Sequence, residues 1–498
     1  MSNTFDFSSF SKQSPKGILI IYLQLIYKTL KLTWVLLFFI IKDFSKFSTL
    51  SLFYIYSGVI AFLLFYLIRA FLIYKNFQFK IENHHFILQQ GVLSKTNTSI
   101  PFHRIQNINF KQNLIQQIIN VYEVSIETAG SKDTEIAIKA LSFEKANALK
   151  NLITVSNEIV IDDKIVDSKK AFVQISPLEL FKVSLTENHL RNLFLFFAIL
   201  IGFFQQIQQI SDGLGKTESL DGFIKDSTSA LSLSFFFVFL LLFVLTITAF
   251  VTSFVRVFLV HFNLTAYLEK DAFEIHQGLF TKKSIVLKMQ KIQSITISTN
   301  PLKRRIGISY ITFKQAVSGK INTNKEKVIK LVGCKKNQID RIKNTLFDIL
   351  DLENVEKKYP DNYYKKRVYI FNFLFLVLVY GLIYLFLDVQ LLASLVFVIP
   401  VTLFLIKKKL QKKFYKITDD MLLVGSGMIE THLTYLELFK VQNVKLQQTF
   451  FQEKSKVADL VLQTASGKIS IPCLPIAIAN VIYNHVLYKL ETSTQPWM

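Results

Sequence analysis

The sequence predicts an α+β membrane protein: six transmembrane α-helices in three hairpins, each hairpin followed by a small β-sandwich or barrel with a C-terminal helix. Three observations predict it. Apolar runs come in pairs, and a run such as Leu50–Tyr74 is long enough to span a bilayer, which takes ~20 residues for ~30 Å of hydrocarbon. Between the pairs, apolar residues alternate or form short runs, the period of strands. One pattern also recurs three times in register: a Gly, then fifteen residues later the Gln that ends a basic–aliphatic–Gln triplet. The copies are Gly91 with Arg104-Ile105-Gln106, Gly278 with Lys291-Ile292-Gln293, and Gly427 with Lys440-Val441-Gln442.

The bulk composition agrees. The chain has 498 residues, 51% of them hydrophobic, with 48 Phe and a formal charge of +22. Nucleic-acid binding would explain the charge but not the apolar runs. A membrane protein explains both, because Lys and Arg gather in cytoplasmic loops. Cys334 and Cys473 supply neither a disulfide framework nor a metal-ligand spacing.

Taken in order, residues 1–17 read as a polar tail without a cleavable signal, and the first helix reads as an uncleaved one. Residues 18–76 are the first hairpin: Ile18–Ile41, interrupted by Lys28 and Lys31, and Leu50–Tyr74. Residues 77–156 are the first β domain, closed by helical spacing at Phe143, Ala146, Leu149, Leu152 and Ile153. Residues 157–188 are a linker and interfacial helix. Its helix start is Ser176-Pro177-Leu178-Glu179: Ser at the N-cap, Pro at N1, Glu at N3. Residues 189–260 are the second hairpin, and 261–352 the second β domain. A charged linker, 353–367, leads to the third hairpin, 368–406, and the third β domain, 407–498.

Three hairpins return the chain to one side each time, so the N-terminus and all three β domains share that side. Its connectors are basic: Lys365-Lys366-Arg367 before the fifth span, and Lys407-Lys408-Lys409 with Lys412-Lys413 after the sixth. The far loops are short and neutral or acidic, apart from Lys42 and Lys46. The positive-inside rule then sets the chain in the cell membrane with the β domains cytoplasmic. Anionic headgroups are a second use for these clusters, worth ~1 kcal/mol per basic residue near the surface.

Within the repeat, Gly91, Gly278 and Gly427 mark a turn between strands, where a positive φ is inexpensive. The apolar columns read as core, among them Val92-Leu93, Leu279-Phe280 and Met428-Ile429 just after the Gly. Ala129, Ala316 and Ala465, with Gly130, Gly319 and Gly467 beside them, suggest a later hairpin turn. Gln106, Gln293 and Gln442 read as structural, satisfying buried backbone groups or bridging strands. Arg104, Lys291 and Lys440 have two readings: a snorkelled residue on a strand edge, or a contact for a headgroup or partner.

Tyr415-Lys416-Ile417-Thr418-Asp419-Asp420-Met421-Leu422, Lys291-Ile292-Gln293-Ser294-Ile295, and Ser176-Pro177-Leu178-Glu179-Leu180 with Leu185-Thr186-Glu187-Asn188 carry a family resemblance. The chain resembles the bacterial pleckstrin-homology-like multi-pass membrane proteins of the YdbS/YdbT type. One departure is Glu82-Asn83 in the first copy, in place of the Thr-x pattern. The resemblance implies a pleckstrin-homology-like (PH-like) barrel of two packed sheets with a C-terminal helix, and no particular reaction or ligand.

No catalytic motif, P-loop, nucleophile elbow or zinc pattern occurs among the motifs of known mechanism. No acidic residue lies well inside a span, which argues against a proton relay. The expectation is a non-enzymatic membrane protein, without a cofactor, that presents three PH-like domains for protein scaffolding or lipid-headgroup binding. The alternative is a transporter or lipid-handling protein with the domains as regulators. Expected partners are membrane lipids, a smaller PH-like membrane protein of the same family, or another copy of the chain, and no nucleic acid.

Overall fold

Each copy of the repeat folds as two three-stranded halves joined by a 3-10 turn, with a helix after the second half. The computed structural model describes residues 5–42, 49–128, 136–155, 171–187, 189–213, 235–269, 272–315, 328–347, 352, 354–386 and 389–493. In unit 1, β1 (Ser11–Lys12) precedes two helices, α1 (Gly17–Lys42) and α2 (Thr49–Lys75). The first half is β2 (Gln78–Glu82), β3 (His85–Gln90) and β4 (Thr96–Pro101). After the 3-10 turn Phe102–Arg104 come β5 (Ile105–Gln112), a short helix α3 (Leu114–Ile118), β6 (Tyr122–Thr128), β7 (Ile136–Leu141) and α4 (Phe143–Val155).

Unit 2 repeats the order. It has β8 (Val173–Gln174), α5 (Pro177–Leu185), α6 (His189–Gly213), α7 (Phe235–Val260), β9 (Thr265–Glu269), β10 (Ala272–Gln277) and β11 (Lys282–Lys288). The turn Met289–Lys291 leads to β12 (Ile292–Thr299), α8 (Pro301–Ile306), β13 (Ile308–Gln315), β14 (Val328–Lys335) and α9 (Lys336–Leu346). Unit 3 has α10 (Asn362–Phe386), α11 (Leu395–Lys412), β15 (Phe414–Ile417), β16 (Met421–Ser426) and β17 (Thr431–Glu437). The turn Leu438–Lys440 leads to β18 (Val441–Gln447), α12 (Phe450–Lys454), β19 (Val457–Thr464), β20 (Gly467–Pro475) and α13 (Ile476–Thr492).

The halves do not stay within their units. The sheet orders are β1-β2-β3-β4, β7-β6-β5-β11-β10-β9-β8, β14-β13-β12-β17-β16-β15, and β18-β19-β20. The second half of unit 1 therefore continues into the first half of unit 2 through β5 and β11. The second half of unit 2 continues into unit 3 through β12 and β17. The expected picture of three β-sandwiches, one per hairpin, changes here: a single sheet crosses each junction. The physical reason is the strand edge, a row of backbone donors and acceptors that a neighbouring strand satisfies.

The cores follow the same logic. In unit 1, Phe79, Phe86 and Leu88 of the first half meet Val124, Ile126 and Ile138 of the second, with Leu149 of α4 beneath. In unit 3, Leu422 and Val424 face the unit's own core, whereas Met421 and Leu423 pack into that of unit 2. β16 is thus buried on both faces, and its unbroken apolar run Met421-Leu422-Leu423-Val424 is what such a strand requires.

The segments before the helix pairs belong to the units too. Residues 1–17, expected as a tail, contribute Phe7 to the unit 1 core, and Ser11 pairs with Phe79. β8 pairs with β9. Ser176 and Glu179 form the anticipated capping box, and Lys358 pairs with Tyr415. Each unit is therefore clamped to both ends of its helix pair.

Consecutive helices α1 and α2, α6 and α7, and α10 and α11 pack together. Among the described residues, three segments are long and apolar enough to cross a membrane: Phe53–Lys75, Leu242–Val260 and Asn362–Leu385. Leu193–Gln209 is a shorter apolar helix. Their partners are more polar or shorter: α1 carries Lys28 and Lys31, and α11 carries Pro400 and ends in lysines. Ala129, Gly130, Ala316 and Gly319 lie outside the described residues, as does 214–234.

Candidate functional site

The three turn glycines meet an unusual demand. Gly91, Gly278 and Gly427 have φ of 115°, 104° and 113°. A Cβ on them would lie 1.9, 2.0 and 1.9 Å from the carbonyl oxygens of Ser94, Thr281 and Glu430. No L side chain fits such a turn. The second residue after the glycine points outward in each copy: Leu93 is 102% exposed, Phe280 47% and Ile429 56%. This column, expected in the core, is an exposed apolar tip.

Two of the tips, those of units 2 and 3, sit against the ends of helices. The Gly278 and Leu279 amides donate to the carbonyls of Phe262 and Leu259, at 2.8 and 3.0 Å, where α7 ends. Lys412, at the end of α11, donates from Nζ to the carbonyls of Met428 and Ile429, at 2.8 and 2.6 Å. The short helices join the same layer. Gln117, on α3, donates from Nε2 to the carbonyls of Leu279 and Phe280. Lys16, just before α1, donates to the Ile119 carbonyl at 2.8 Å. Leu114, Ile118, Leu302, Phe450 and Phe451 on the short helices are exposed apolar residues.

Three side chains cap the short helices: Asn113, Asn300 and Thr449, each twenty-two positions after its turn glycine. Their helices end on left-handed residues, Asn120, Gly307 and Lys456, each twenty-nine positions after it. The in-register Asn113-x-x-Gln116 and Thr449-x-x-Gln452 patterns are capping boxes. These patterns are the sequence signal for the short helices, which apolar periodicity does not reveal.

The basic residues expected to orient the helices divide into two groups. Lys365, Lys366, Lys407 and Lys409 are exposed at helix ends, and Lys408 lies over the Phe404 ring. Arg367, Lys412 and Lys413 are instead tied to unit 3. Arg367 pairs with Asp459 at 3.0 Å, which also accepts from Gln452 and the Cys473 amide. Lys413 donates to the Ser470 carbonyl at 3.2 Å.

The triplet has a structural role. In each copy the 3-10 turn ends on the basic residue, Arg104, Lys291 or Lys440, where the chain passes from the first half to the second. The following strand has a register shift in the pairing between Ile105 and Asn107, Ile292 and Ser294, and Val441 and Asn443. The shifted residue is the Gln every time: Gln106, Gln293 and Gln442. A bulge bends a strand and sharpens its twist, which suits a corner between sheets. The Gln106 side chain lies outside the described residues. Arg104 is exposed and Lys291 half-buried. Lys440 is buried, paired with Glu437, and its ammonium donates to the Ile292 carbonyl of unit 2 at 2.8 Å. Its charge braces two units together, so the expected headgroup contact is not available to it.

A buried polar cluster locks the segment entering α6. Glu187 accepts from Tyr310 Oη at 2.6 Å and from Lys303 Nζ at 3.5 Å. Lys303, 2% exposed, also lies 3.7 Å from Glu430 of unit 3 and 3.5 Å from the Tyr310 ring centroid. Asn300 donates to the Thr186 carbonyl at 2.9 Å. Burial opposes the Glu187 charge, but Lys303 and the Tyr310 hydroxyl outweigh it and hold the carboxyl below its ordinary pKa. Burial lowers the Lys303 pKa despite Glu187 and Glu430. The cluster ties three segments together, with its charges already matched internally.

The bacterial PH domain family matches the chain three times, at residues 35–155, 217–349 and 372–490. Among curated proteins, the transmembrane protein YdbT of Bacillus subtilis (strain 168) is 21% identical over 413 residues, covering 79% of this chain and 81% of the relative. No solved structure matches.

Proposed function

The chain belongs to the bacterial PH domain family, and from that premise we propose a non-enzymatic, multi-pass membrane scaffold that holds three fused PH-like units flat against anionic lipid. One observation carries the reading. Every unit turns an exposed apolar tip outward, Leu93, Phe280, and Met428 with Ile429, and those of units 2 and 3 are bonded to the end of a helix of their own pair. Basic residues stand beside them: Lys95 after the first turn, Lys282 after the second, and Lys412 holding the third. An apolar tip with a basic rim inserts shallowly and draws anionic headgroups. Six helices in three hairpins, with the units on the cytoplasmic face of the cell membrane, complete the arrangement.

Tryptophan at the tips tests it. Leu93→Trp, Phe280→Trp or Ile429→Trp, in a chain whose Trp34 and Trp497 are Phe, is reconstituted into lipid discs containing brominated acyl chains. Each tip should be quenched, more so when phosphatidylglycerol is included. Tips that fluoresce as in unbrominated discs would remove the lipid contact from the proposal.

Orientation has its own expected outcome. Single Cys at Gln89, Gln277 or Ser426 should resist a membrane-impermeant thiol reagent in intact cells, and Cys at Thr217 should react. Labelling of the first three from outside would reverse the topology. Transport is the weaker reading, because the cleft of about 670 Å³ between α10 and α11 is lined by apolar residues such as Phe373, Leu376, Ile399 and Leu403. It offers hydrocarbon rather than a polar route.

A further inference from the structure

The two junctions inside the chain use one rule. In the first, Lys283 of β11 stands opposite Lys111 of β5. In the second, His432 of β17 stands opposite Ser298 of β12. Lys283 and His432 are each five positions after their turn glycine, Gly278 or Gly427. Lys111 and Ser298 are each twenty positions after theirs, Gly91 or Gly278. The register is identical, and so is the direction: the fourth strand of one unit joins the third strand of the next.

Such a head-to-tail contact leaves one complementary edge at each end of the chain. At one end is β4, the third strand of unit 1, which among the described strands pairs only with β3. At the other is β18, the fourth strand of unit 3, which among the described strands pairs only with β19. Burial records the difference. Gln293 and Ser294 on β12 are 0% exposed under unit 3, whereas their counterparts Gln442 and Asn443 on β18 are exposed. Tyr435 on β17 is buried, and its counterpart Ser99 on β4 is exposed.

We propose that β18 of one chain pairs with β4 of a second copy, continuing the internal register so that Lys445 stands opposite Thr98 and Gln447 opposite Thr96. The occupant is a second copy because the internal junctions already show these two strand positions pairing twice. A polar edge can also be a protective one, since charge on an edge strand blocks association. That does not decide the case here, because the β5–β11 junction forms with Lys111 opposite Lys283. A heterologous contact of this kind closes into a ring or runs on as an open row. The proposal rests on sheet topology and is independent of the lipid contact.

Two differently tagged full-length chains test it, one carrying Thr98→Cys and the other Lys445→Cys, co-expressed and oxidised in native membranes. The internal counterpart of this pair, Thr296 and Thr434, has its hydroxyls 3.1 Å apart, so these side chains share a face. Cys334 and Cys473 are buried and contribute little background. A disulfide-linked species bearing both tags is expected, several-fold stronger than with Leu446→Cys in place of Lys445→Cys, because a disulfide needs closely spaced Cα atoms and converging Cβ vectors. Equal yields from both pairs would show random collision and overturn the register. No linked species, or linkage of either cysteine only to a different protein, would overturn the second copy as occupant.

Discussion

Glu187→Leu should destabilise the chain by about 3–5 kcal/mol, the usual cost of removing one partner from a buried ion pair. Lys303 is almost wholly buried, and after the change its ammonium would keep only Glu430 at 3.7 Å and the face of Tyr310. The Tyr310 hydroxyl would lose its acceptor as well. Adding Lys303→Met should recover much of the loss, because a buried pair replaced by apolar groups is often close to neutral. The interaction energy is read from the double-mutant cycle. Unfolding in detergent can be followed with a fluorogenic maleimide, since both Cys334 and Cys473 are buried. Equal stability of Glu187→Leu and the wild type would show that the cluster holds nothing.

The same site sets a pH dependence. The Glu187 carboxyl is held below its ordinary pKa, so the unfolded chain takes up the proton first as acid is added. Its contribution is complete above the unfolded pKa and is lost as pH falls through the folded value. The stability gap between wild type and Glu187→Gln should therefore be flat near neutrality and shrink on the acid side. A gap that widens with acid would contradict the assignment.

These effects sit unevenly between what the sequence discloses and what it hides. The turn glycines, the helix pairs and the closing helices are legible, because each follows from a local period or a local steric need. Junction pairing is not, because periodicity identifies a strand without naming its partner. Only the composition of β17 against β4 hints at it: Leu433 and Tyr435 occupy the positions of Asn97 and Ser99. The Gln of the triplet was legible as a repeated residue but not as a bulge, since a bulge is defined by the opposite strand. Lys303 was hidden in the run Lys303-Arg304-Arg305, which reads as a solvated basic patch until Glu187 is brought to it from 116 residues away. The exposed tips are hidden for the same reason: apolar residues beside a turn look like core until the end of a helix is found next to them.

Gly278→Ala should cost about 3 kcal/mol, at the upper end for one residue forced into a sparsely populated backbone region. Two effects combine: φ is 104°, and the new Cβ would lie 2.0 Å from the Thr281 carbonyl oxygen, so the turn must be rebuilt. Gly307→Ala is the control. Gly307 also has a positive φ, 76°, but nothing lies within 4 Å of the added Cβ. It should cost only about 1 kcal/mol, the left-handed penalty for an L residue. The two variants thus separate torsional strain from collision at the same substitution. Gly278→Ala should have a further consequence that Gly307→Ala lacks. The Leu279 and Phe280 carbonyls accept from Gln117 of unit 1, and the Gly278 and Leu279 amides bond to the end of α7. Rebuilding the turn should loosen both contacts, so limited proteolysis should cut near the junction of units 1 and 2 before global unfolding. If the two alanine variants unfold together and are cleaved alike, the turn is not the element that joins the helix end to the neighbouring unit.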